Sequence, residues 1–304
     1  MTNYTYENGT LKNIYGITDA DKLSAVEAER VAARLVTLQF GAGPAPTFDG
    51  QYLKGLHQHL FEKVYEWAGR TRDELVQLSD GTVATMPTMQ KIDGEQFAIG
   101  PAISSALDRF SEDLRGQNFL RGLDRETFAD QAAGYFNRLN SIHPFREGNG
   151  RTQRAFMIAL AKNAGHELSF DVVSAERMAQ ASIAGHERGD VDAFKRMFRE
   201  ISDPERVQAL EKAQNFLTSQ GFDWQNRYMA TTEPGRRYDG VLVGVGGSDF
   251  MMHDKQNILV GKTKDLPRPL PEQGQHVTFE TPQKTPANAR ESRGRDDDFG
   301  HGLS

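Results

Sequence analysis

A twelve-residue segment, His143 to Arg154, carries side chains and turns that together could handle a nucleoside triphosphate. It reads His-Pro-Phe-Arg-Glu-Gly-Asn-Gly-Arg-Thr-Gln-Arg, and so combines a candidate base, a candidate metal ligand, a glycine-bounded turn and two arginines at its end. Any two of these residues could belong to a surface ion-pair cluster in a helix-capping loop. The whole ordered string favours a nucleotide site.

His143 lies where a helix is predicted to end. From Asp124 to Ile142 apolar residues recur every three or four positions, which is the period of a helix with one buried face. Pro144 lacks a backbone donor and restricts the residue before it, so the helix should stop there. An imidazole with an ordinary pKa of about 6.5 is largely neutral at pH 7 and can accept a proton from a hydroxyl. We therefore assign His143 the role of general base.

The next residues suit a metal ion and an anion. Glu147 is a hard oxygen ligand, and Mg²⁺ commonly binds through one or two carboxylates together with substrate phosphates. The turn Gly148-Asn149-Gly150 allows positive φ and brings backbone N–H groups close to a bound anion. A small residue at 148 also leaves space beside the metal. We assign Glu147 to Mg²⁺ and the turn to phosphate.

A helix is predicted to begin at Gly150, because apolar residues again recur at helical spacing up to Ala164. Unpaired N–H groups and the macrodipole at a helix N-terminus favour phosphate. Arg151 and Arg154 are three residues apart and share a face of the first turn, where both can grip polyphosphate oxygens.

These residues carry a family resemblance. The segment from His143 to Arg154 resembles the active-site motif of Fic-domain proteins at every defining position, and Leu60 to Arg72 resembles the helix that precedes the target-binding flap of that family. The resemblance covers about the first two hundred residues. The later segments are similar to those of Bartonella effector proteins, in which an OB-fold follows the Fic domain.

The resemblance implies transfer of a nucleoside monophosphate, usually AMP from ATP, to a hydroxyl side chain of a target protein. In that scheme His143 deprotonates the hydroxyl, Glu147 holds Mg²⁺ on the phosphates, and Asn149 with its flanking glycines cradles them. Arg151 and Arg154 then neutralise charge on the departing pyrophosphate. Family precedent makes small GTPases a target class. The alternatives are another phosphoryl-type transfer by the same loop and a catalytically idle interaction scaffold.

A flap is predicted from Asp73 to Asp93. Asp80-Gly81 is a hairpin-turn signal between residues with strand propensity, and an exposed hairpin edge can pair with an extended target segment. The alternative is a solvated hairpin without a partner. The residues expected to position the target are Asp80, Gly81, Thr82, Val83 and Ala84.

Many Fic proteins carry an inhibitory helix whose glutamate pairs with the second motif arginine, which is Arg154 here. The family pattern is Ser or Thr, three residues, Glu, and then Gly or Asn. Neither end of the chain contains it, since Ser24 is followed by Glu27 and Glu29 and not by a glutamate at position 28. If such control exists, we expect the inhibitor to be a separate small antitoxin-like protein.

Composition narrows the classes of function. A net charge of −6 and a pI near 5.8 give no support for nonspecific nucleic-acid binding. The absence of cysteine excludes thiolate catalysis and fits a reducing compartment. The sequence shows no apolar run long enough to predict a membrane span, and its N-terminus does not resemble a signal peptide. We expect folding in the bacterial cytoplasm. Secretion into a host cell would use a C-terminal signal that is absent from this chain.

The predicted fold is mainly α, a Fic-type helical domain with a β-hairpin flap followed by a small β-barrel of OB-fold type. Helical spacing continues to about Ile201, and Ser202-Asp203-Pro204 is typical of a further helix start. Short apolar runs between turn residues then indicate strands. We expect a catalytic domain at 1–202, a connecting helix at 203–228, an OB-fold-like domain at 229–281 and a disordered linker at 282–304.

Overall fold

The computed structural model describes residues 3–90, 96–187, 189–255 and 257–283. The chain divides into two compact units, Met1–Val207 and Gln208–Ser304. This division falls within the segment 203–228 that the sequence assigned to a connecting helix. The last part of the expected flap, 91–93, and most of the expected linker, 284–304, lie outside the described residues.

The first unit is mainly helical. Its helices, in chain order, are α1 (Ala20–Gln39), α2 (Gly50–Phe61), α3 (Ala102–Gly116), α4 (Arg125–Ile142), α5 (Asn149–Ala164), α6 (Ala175–Glu187) and α7 (Asp192–Ile201). A further helix, α8 (Pro204–Ser219), begins in this unit and continues into the second. None of the described helices combines the length and the apolar character needed to cross a bilayer.

Helix α4 is held at both ends by side-chain hydrogen bonds. The carboxylate of Asp124 caps the first turn, accepting from the N–H groups of Glu126 at 3.0 Å and Thr127 at 3.1 Å. The predicted apolar face is buried, and its Phe136 ring packs against Phe194 and Phe198 of α7. At its end, the side-chain amide of Gln153 on α5 donates to the Leu139 carbonyl at 3.1 Å. The helix that carries the candidate base is therefore fixed by cap, core and neighbour.

Two predicted helices are shorter than expected. The helix expected from Asp49 to Ala68 ends at Phe61, so most of the Leu60–Arg72 segment is turns and not helix. The apolar residues beyond Phe61 are nevertheless buried in the core, which is why their spacing suggested a longer helix. The helix expected from Gln96 begins only at Ala102, directly after Gly100-Pro101, where Gly100 has φ of 47°.

The expected β-hairpin is present between α2 and α3. Strands β1 (Val76–Gln77) and β2 (Val83–Ala84) pair antiparallel, with Val76 opposite Ala84 and Gln77 opposite Val83. Gly81 takes φ of 83° at the turn, and its N–H donates to the Leu78 carbonyl at 2.9 Å. The predicted turn at Asp80-Gly81 is confirmed, although each strand contains only two residues.

The second unit contains a mixed five-stranded sheet. Its strands are β3 (Tyr228–Thr231), β4 (Arg237–Gly246), β5 (Asp249–Asp254), β6 (Asn257–Lys262) and β7 (His276–Glu280), in the spatial order β3-β6-β5-β4-β7. The β3–β6 pair is parallel and the other pairs are antiparallel. Buried side chains such as Leu242, Phe250 and Phe279 form its core.

Four of these strands were predicted, from the segments 240–245, 249–252, 257–260 and 275–280. Strand β3 was not, because its four residues lack a clear apolar run. The expected closed β-barrel is not found. Within the described residues no pairing joins β3 to β7, so the sheet is open at both edges.

Candidate active site

The candidate base stands at the junction between α4 and the motif loop. His143 is the C-cap of α4, with φ of 47° and ψ of 61°, and its N–H still donates to the Leu139 carbonyl at 3.0 Å. Its half-buried imidazole stacks on the ring of Phe97, with centroids 4.1 Å apart and an interplanar angle of 14°. The predicted helix end is confirmed, and the imidazole has a defined orientation.

The side chain of Asn149 closes the motif loop. Its amide oxygen accepts from the Phe145 N–H at 2.9 Å, and its amide nitrogen donates to the Phe145 carbonyl at 2.8 Å. The residue is only 4% exposed. The sequence assigned Asn149 to phosphate, and that role stays a prediction. The loop-closing role was missed, because it depends on the folded path of the loop.

His57 packs against the motif loop and hydrogen-bonds to it. Its ring is fully buried and stacks on Phe145 at 3.9 Å, while Nδ1 accepts from the Gly69 N–H at 2.8 Å. Nε2 therefore carries the proton and donates to the Glu147 carbonyl at 3.0 Å. Burial lowers the pKa of His57 to about 3, so the ring is neutral. His57 had no role in the site predicted from the sequence. Its place on the apolar face of α2 was the available signal.

Glu147 has the exposure that a metal ligand needs. Its side chain is 43% exposed, and Oε1 accepts from the Gly148 N–H at 2.8 Å and lies 3.5 Å from Nη2 of Arg151. In the part of the chain that the structure describes, no cluster of three or more His, Asp or Glu side chains could hold a metal ion alone. This donor set fits a Mg²⁺ ion that is completed by substrate phosphates and water.

Gly148 is required by sterics and by backbone conformation. Its φ is 81°, and a Cβ at this position would lie 2.4 Å from carbons of the Phe61 ring. The space in the direction of a Cβ is thus taken by Phe61, and the expectation that a small residue here leaves room for a metal stays a prediction. Gly148 precedes α5 as the N-cap and offers no side-chain cap, so this helix N-terminus is left without one.

Arg151 is held by a carboxylate from α1. Its Nη2 lies 2.5 Å from Oε1 of Glu27, and its guanidinium lies 4.8 Å from the centroid of the Phe61 ring. Glu27 is 12% exposed at its side chain and also accepts a hydrogen bond from the Tyr65 hydroxyl. The two arginines are thus not equivalent, which their spacing did not reveal.

Arg154 is half-buried and lies beside Gly150, with its Nη1 3.7 Å from the position that a Cβ of Gly150 would take. Burial lowers the pKa of Arg154, the nearby charge of Arg151 lowers it further, and the carboxylate of Asp171 raises it. Among the described residues no carboxylate lies within ion-pair distance of its guanidinium. Its charge is consequently available to an anion at the start of α5.

The hairpin residues contact the N-terminal segment. Lys12 donates to the Asp80 carboxylate at 2.7 Å and to the Thr82 hydroxyl at 2.9 Å, and Lys12 lowers the pKa of Asp80. The side-chain amide of Asn3 donates to the Val83 carbonyl at 2.7 Å. Ala84 is fully buried and so belongs to the core. A target strand that pairs with the hairpin would have to share or displace the Asn3 contact.

From the sequence, Arg72 was named only as the last residue of the segment Leu60 to Arg72, and it had no predicted role. It is fully buried and donates to the His143 carbonyl at 2.9 Å, which ties the hairpin segment to the candidate base. Nothing in its sequence position indicated this role.

Comparison with known proteins agrees with this arrangement. The Fic/DOC family model matches residues 47–161. A protein adenylyltransferase of Bartonella henselae is 38% identical over 288 residues, which are 92% of this chain and 52% of that protein. The chain therefore spans about half the length of this curated relative.

Two solved structures are similar over nearly their whole length. BepA, a type IV secretion system effector protein, has a TM-score of 0.87 and 36% identity, and the match covers 93% of this chain and 97% of that chain. The BepC protein of Bartonella tribocorum, with bound AMPPNP, has a TM-score of 0.64 and 40% identity, covering 66% of this chain and 97% of that chain. With the motif intact and the similarity this extensive, the chain belongs to the Fic/DOC family.

Proposed function

We propose that this protein transfers AMP from ATP to a hydroxyl side chain of another protein. The observation that carries the proposal is the α4–loop–α5 unit, which places an oriented imidazole before a helix N-terminus flanked by two arginines. The name of the Bartonella henselae relative, protein adenylyltransferase, supports this choice of reaction.

In the proposed reaction His143 accepts the proton of the target hydroxyl, and the hydroxyl oxygen forms a bond to the α-phosphorus. The bond between that phosphorus and the oxygen bridging to the β-phosphate breaks, and pyrophosphate leaves. Backbone N–H groups of Gly148, Asn149 and Gly150 would bind the phosphates at the start of α5, that of Gly148 after it releases the Glu147 carboxylate. Arg154 offers its charge to the departing pyrophosphate.

Arg151 joins Arg154 in this role once nucleotide phosphate competes with Glu27 for its guanidinium. Glu147 would hold Mg²⁺ against the phosphates, and the ion when bound would stabilise negative charge on the phosphate oxygens. ATP is the proposed donor, because the similar BepC structure contains AMPPNP.

The proposed target is a protein whose extended segment pairs with the hairpin at residues 80–84. Exposed edge groups of a short hairpin suit such pairing. Small GTPases are a target class by family precedent alone. The proposed inhibitor of the enzyme is a separate small antitoxin-like protein, since the described residues place no carboxylate on Arg154.

For the second unit we propose an OB-fold-like interaction module within residues 229–281. A mixed sheet of five strands around one apolar core supports this, and OB-folds are themselves partly open barrels. The similarity to BepA supports a role as a secreted bacterial effector. We keep the proposed domain limits of 1–202, 203–228, 229–281 and 282–304.

The test is incubation with a lysate, Mg²⁺ and ATP labelled at either the α- or the γ-phosphate. Protein-bound label from the α position alone is expected. Label from the γ position alone would instead indicate phosphorylation, and absence of both across a broad lysate would favour an idle scaffold.

A further inference from the structure

Arg72 is a fully buried arginine that contacts three separate segments around the candidate base. Its Nε donates to the His143 carbonyl at 2.9 Å. Its Nη1 donates to the carbonyls of Met86 at 3.1 Å and Pro87 at 2.9 Å, and its Nη2 donates to the carbonyl of Ala98. Four carbonyls are thus bound by one guanidinium.

The backbone of Arg72 adds two further links between the same segments. Its N–H donates to the Pro144 carbonyl at 2.8 Å, and its carbonyl accepts from the Met86 N–H at 2.5 Å. The motif loop and the end of the hairpin are therefore joined through both the main chain and the side chain of one residue.

Burying the charged guanidinium of Arg72 costs free energy unless other interactions offset it. Within the described residues no carboxylate pairs with it, and burial lowers the pKa of Arg72 while the neighbouring Asp73 raises it. A buried charge without an ion-pair partner is tolerated when hydrogen bonds satisfy it, as the four carbonyls do here. A lysine could not reproduce this contact, because its single ammonium lacks the planar fork.

The segments that Arg72 joins are the ones that orient the imidazole. His143 lies in the left-handed region, and Arg72 binds the carbonyl of that same residue. Ala98, another of its partners, directly follows Phe97, whose ring stacks on the imidazole. Met86 and Pro87 lie two and three residues beyond the end of β2, a strand of the hairpin on which the target is proposed to dock.

We propose that Arg72 is a positioning residue. It fixes the imidazole of His143 and the base of the hairpin relative to each other. The effect on catalysis that we expect from Arg72 rests on the proposed AMP transfer. The proposal extends that function by naming the residue that aligns the base with the target-binding element. Because Arg72 is fully buried and its guanidinium binds backbone carbonyls, we expect its effect to be on alignment and not on nucleotide affinity.

The test compares Arg72→Lys with Arg177→Lys, a matched change at another arginine that is buried among the described residues and pairs with Glu200. We expect Arg72→Lys to lower kcat by about 10²-fold while KM for ATP is unchanged, because misplacement of reacting groups by an ångström costs about that much. Arg177→Lys should lower the stability of the protein, but it should not lower kcat about 10²-fold at an unchanged KM for ATP. Equal kcat in the two variants, or a rise confined to KM for ATP, would overturn the proposal.

Hydrogen exchange tests the link without any assay of activity. In Arg72→Lys, protection should fall together in residues 76–87 and 143–147, whereas Arg177→Lys should leave both protected. If Arg72→Lys does not fold, hydrogen exchange of the wild type tests the same link. Its Arg72 and Met86 amides should open with the same free energy, since both bonds require movement of Arg72. Independent opening of the two amides would overturn the link even if AMP transfer is found.

Discussion

Gly148 has no room for a side chain in the motif loop. A methyl group at this position would meet the Phe61 ring at 2.4 Å, and φ of 81° is unfavourable for any side chain. We expect Gly148→Ala to cost about 2–4 kcal/mol of unfolding free energy, the sum of strain and overpacking. Urea unfolding measures it, with Gly150→Ala as the control, because a Cβ there would meet only ordinary contacts. Equal stability of the two variants would contradict the steric account.

His57 makes the stability of the loop sensitive to pH. Its folded pKa of about 3 lies below the usual histidine value, so the unfolded chain binds the extra proton and stability falls as the pH drops from about 6.5 towards 3. Between about pH 7.5 and about pH 5 we expect the wild type to lose about 2 kcal/mol more than His57→Gln. Unfolding curves at the two pH values measure this difference. Parallel losses in both proteins would show that His57 is not held neutral.

Among single residues, the sequence predicted the helix end at His143 but not the hydrogen bonds that hold the loop around it. His143 could be placed at a helix end because Pro144 has a local and general effect on the backbone. The bonds of Asn149 to Phe145, and of Arg72 to four carbonyls, join atoms whose proximity exists only after folding.

At the scale of elements, the packing of α1 near the start of α5 controls Arg151. The Glu27 carboxylate occupies its guanidinium and would repel nucleotide phosphate. We expect Glu27→Gln to tighten binding of AMPPNP by roughly threefold to tenfold, measured by calorimetry, which corresponds to about 1 kcal/mol. Tyr65→Phe keeps the carboxylate and should change the affinity less. Weaker binding by Glu27→Gln would mean that Glu27 orients Arg151 for the nucleotide instead of competing for it.

Element boundaries were predicted well where local signals mark them. Asp124 caps α4 and Pro204 begins α8, and both helices start as expected. The end of α2 was missed by several residues, because Val64, Tyr65 and Trp67 are buried in turns and imitate a continuing apolar face. Apolar spacing reports burial, and burial does not require a helix.

At the scale of the whole molecule, all residues of the proposed nucleotide site lie in the unit Met1–Val207. We expect a chain ending at Val207 to bind AMPPNP with the same Kd as the full chain, as measured by calorimetry. His143→Ala in the same truncated chain should leave this Kd unchanged, because the imidazole is assigned to the target hydroxyl. A truncated chain that folds but fails to bind would place part of the site beyond Val207.

The overall class, a mainly helical unit followed by a sheet, could be predicted because each element has its own periodicity. Closure of the sheet could not, since it depends on which edges pair. In the described residues β3 pairs with β6 and leaves β7 at the opposite edge.

In the proposed reaction the imidazole of His143 activates a hydroxyl of a target protein for attack on ATP. Mass spectrometry of a lysate incubated with ATP, Mg²⁺ and either wild type or His143→Ala tests it most directly. We predict an AMP adduct on a serine, threonine or tyrosine of a lysate protein with the wild type, and none with the variant, although the variant still binds AMPPNP. An adduct formed equally well by His143→Ala would contradict the account.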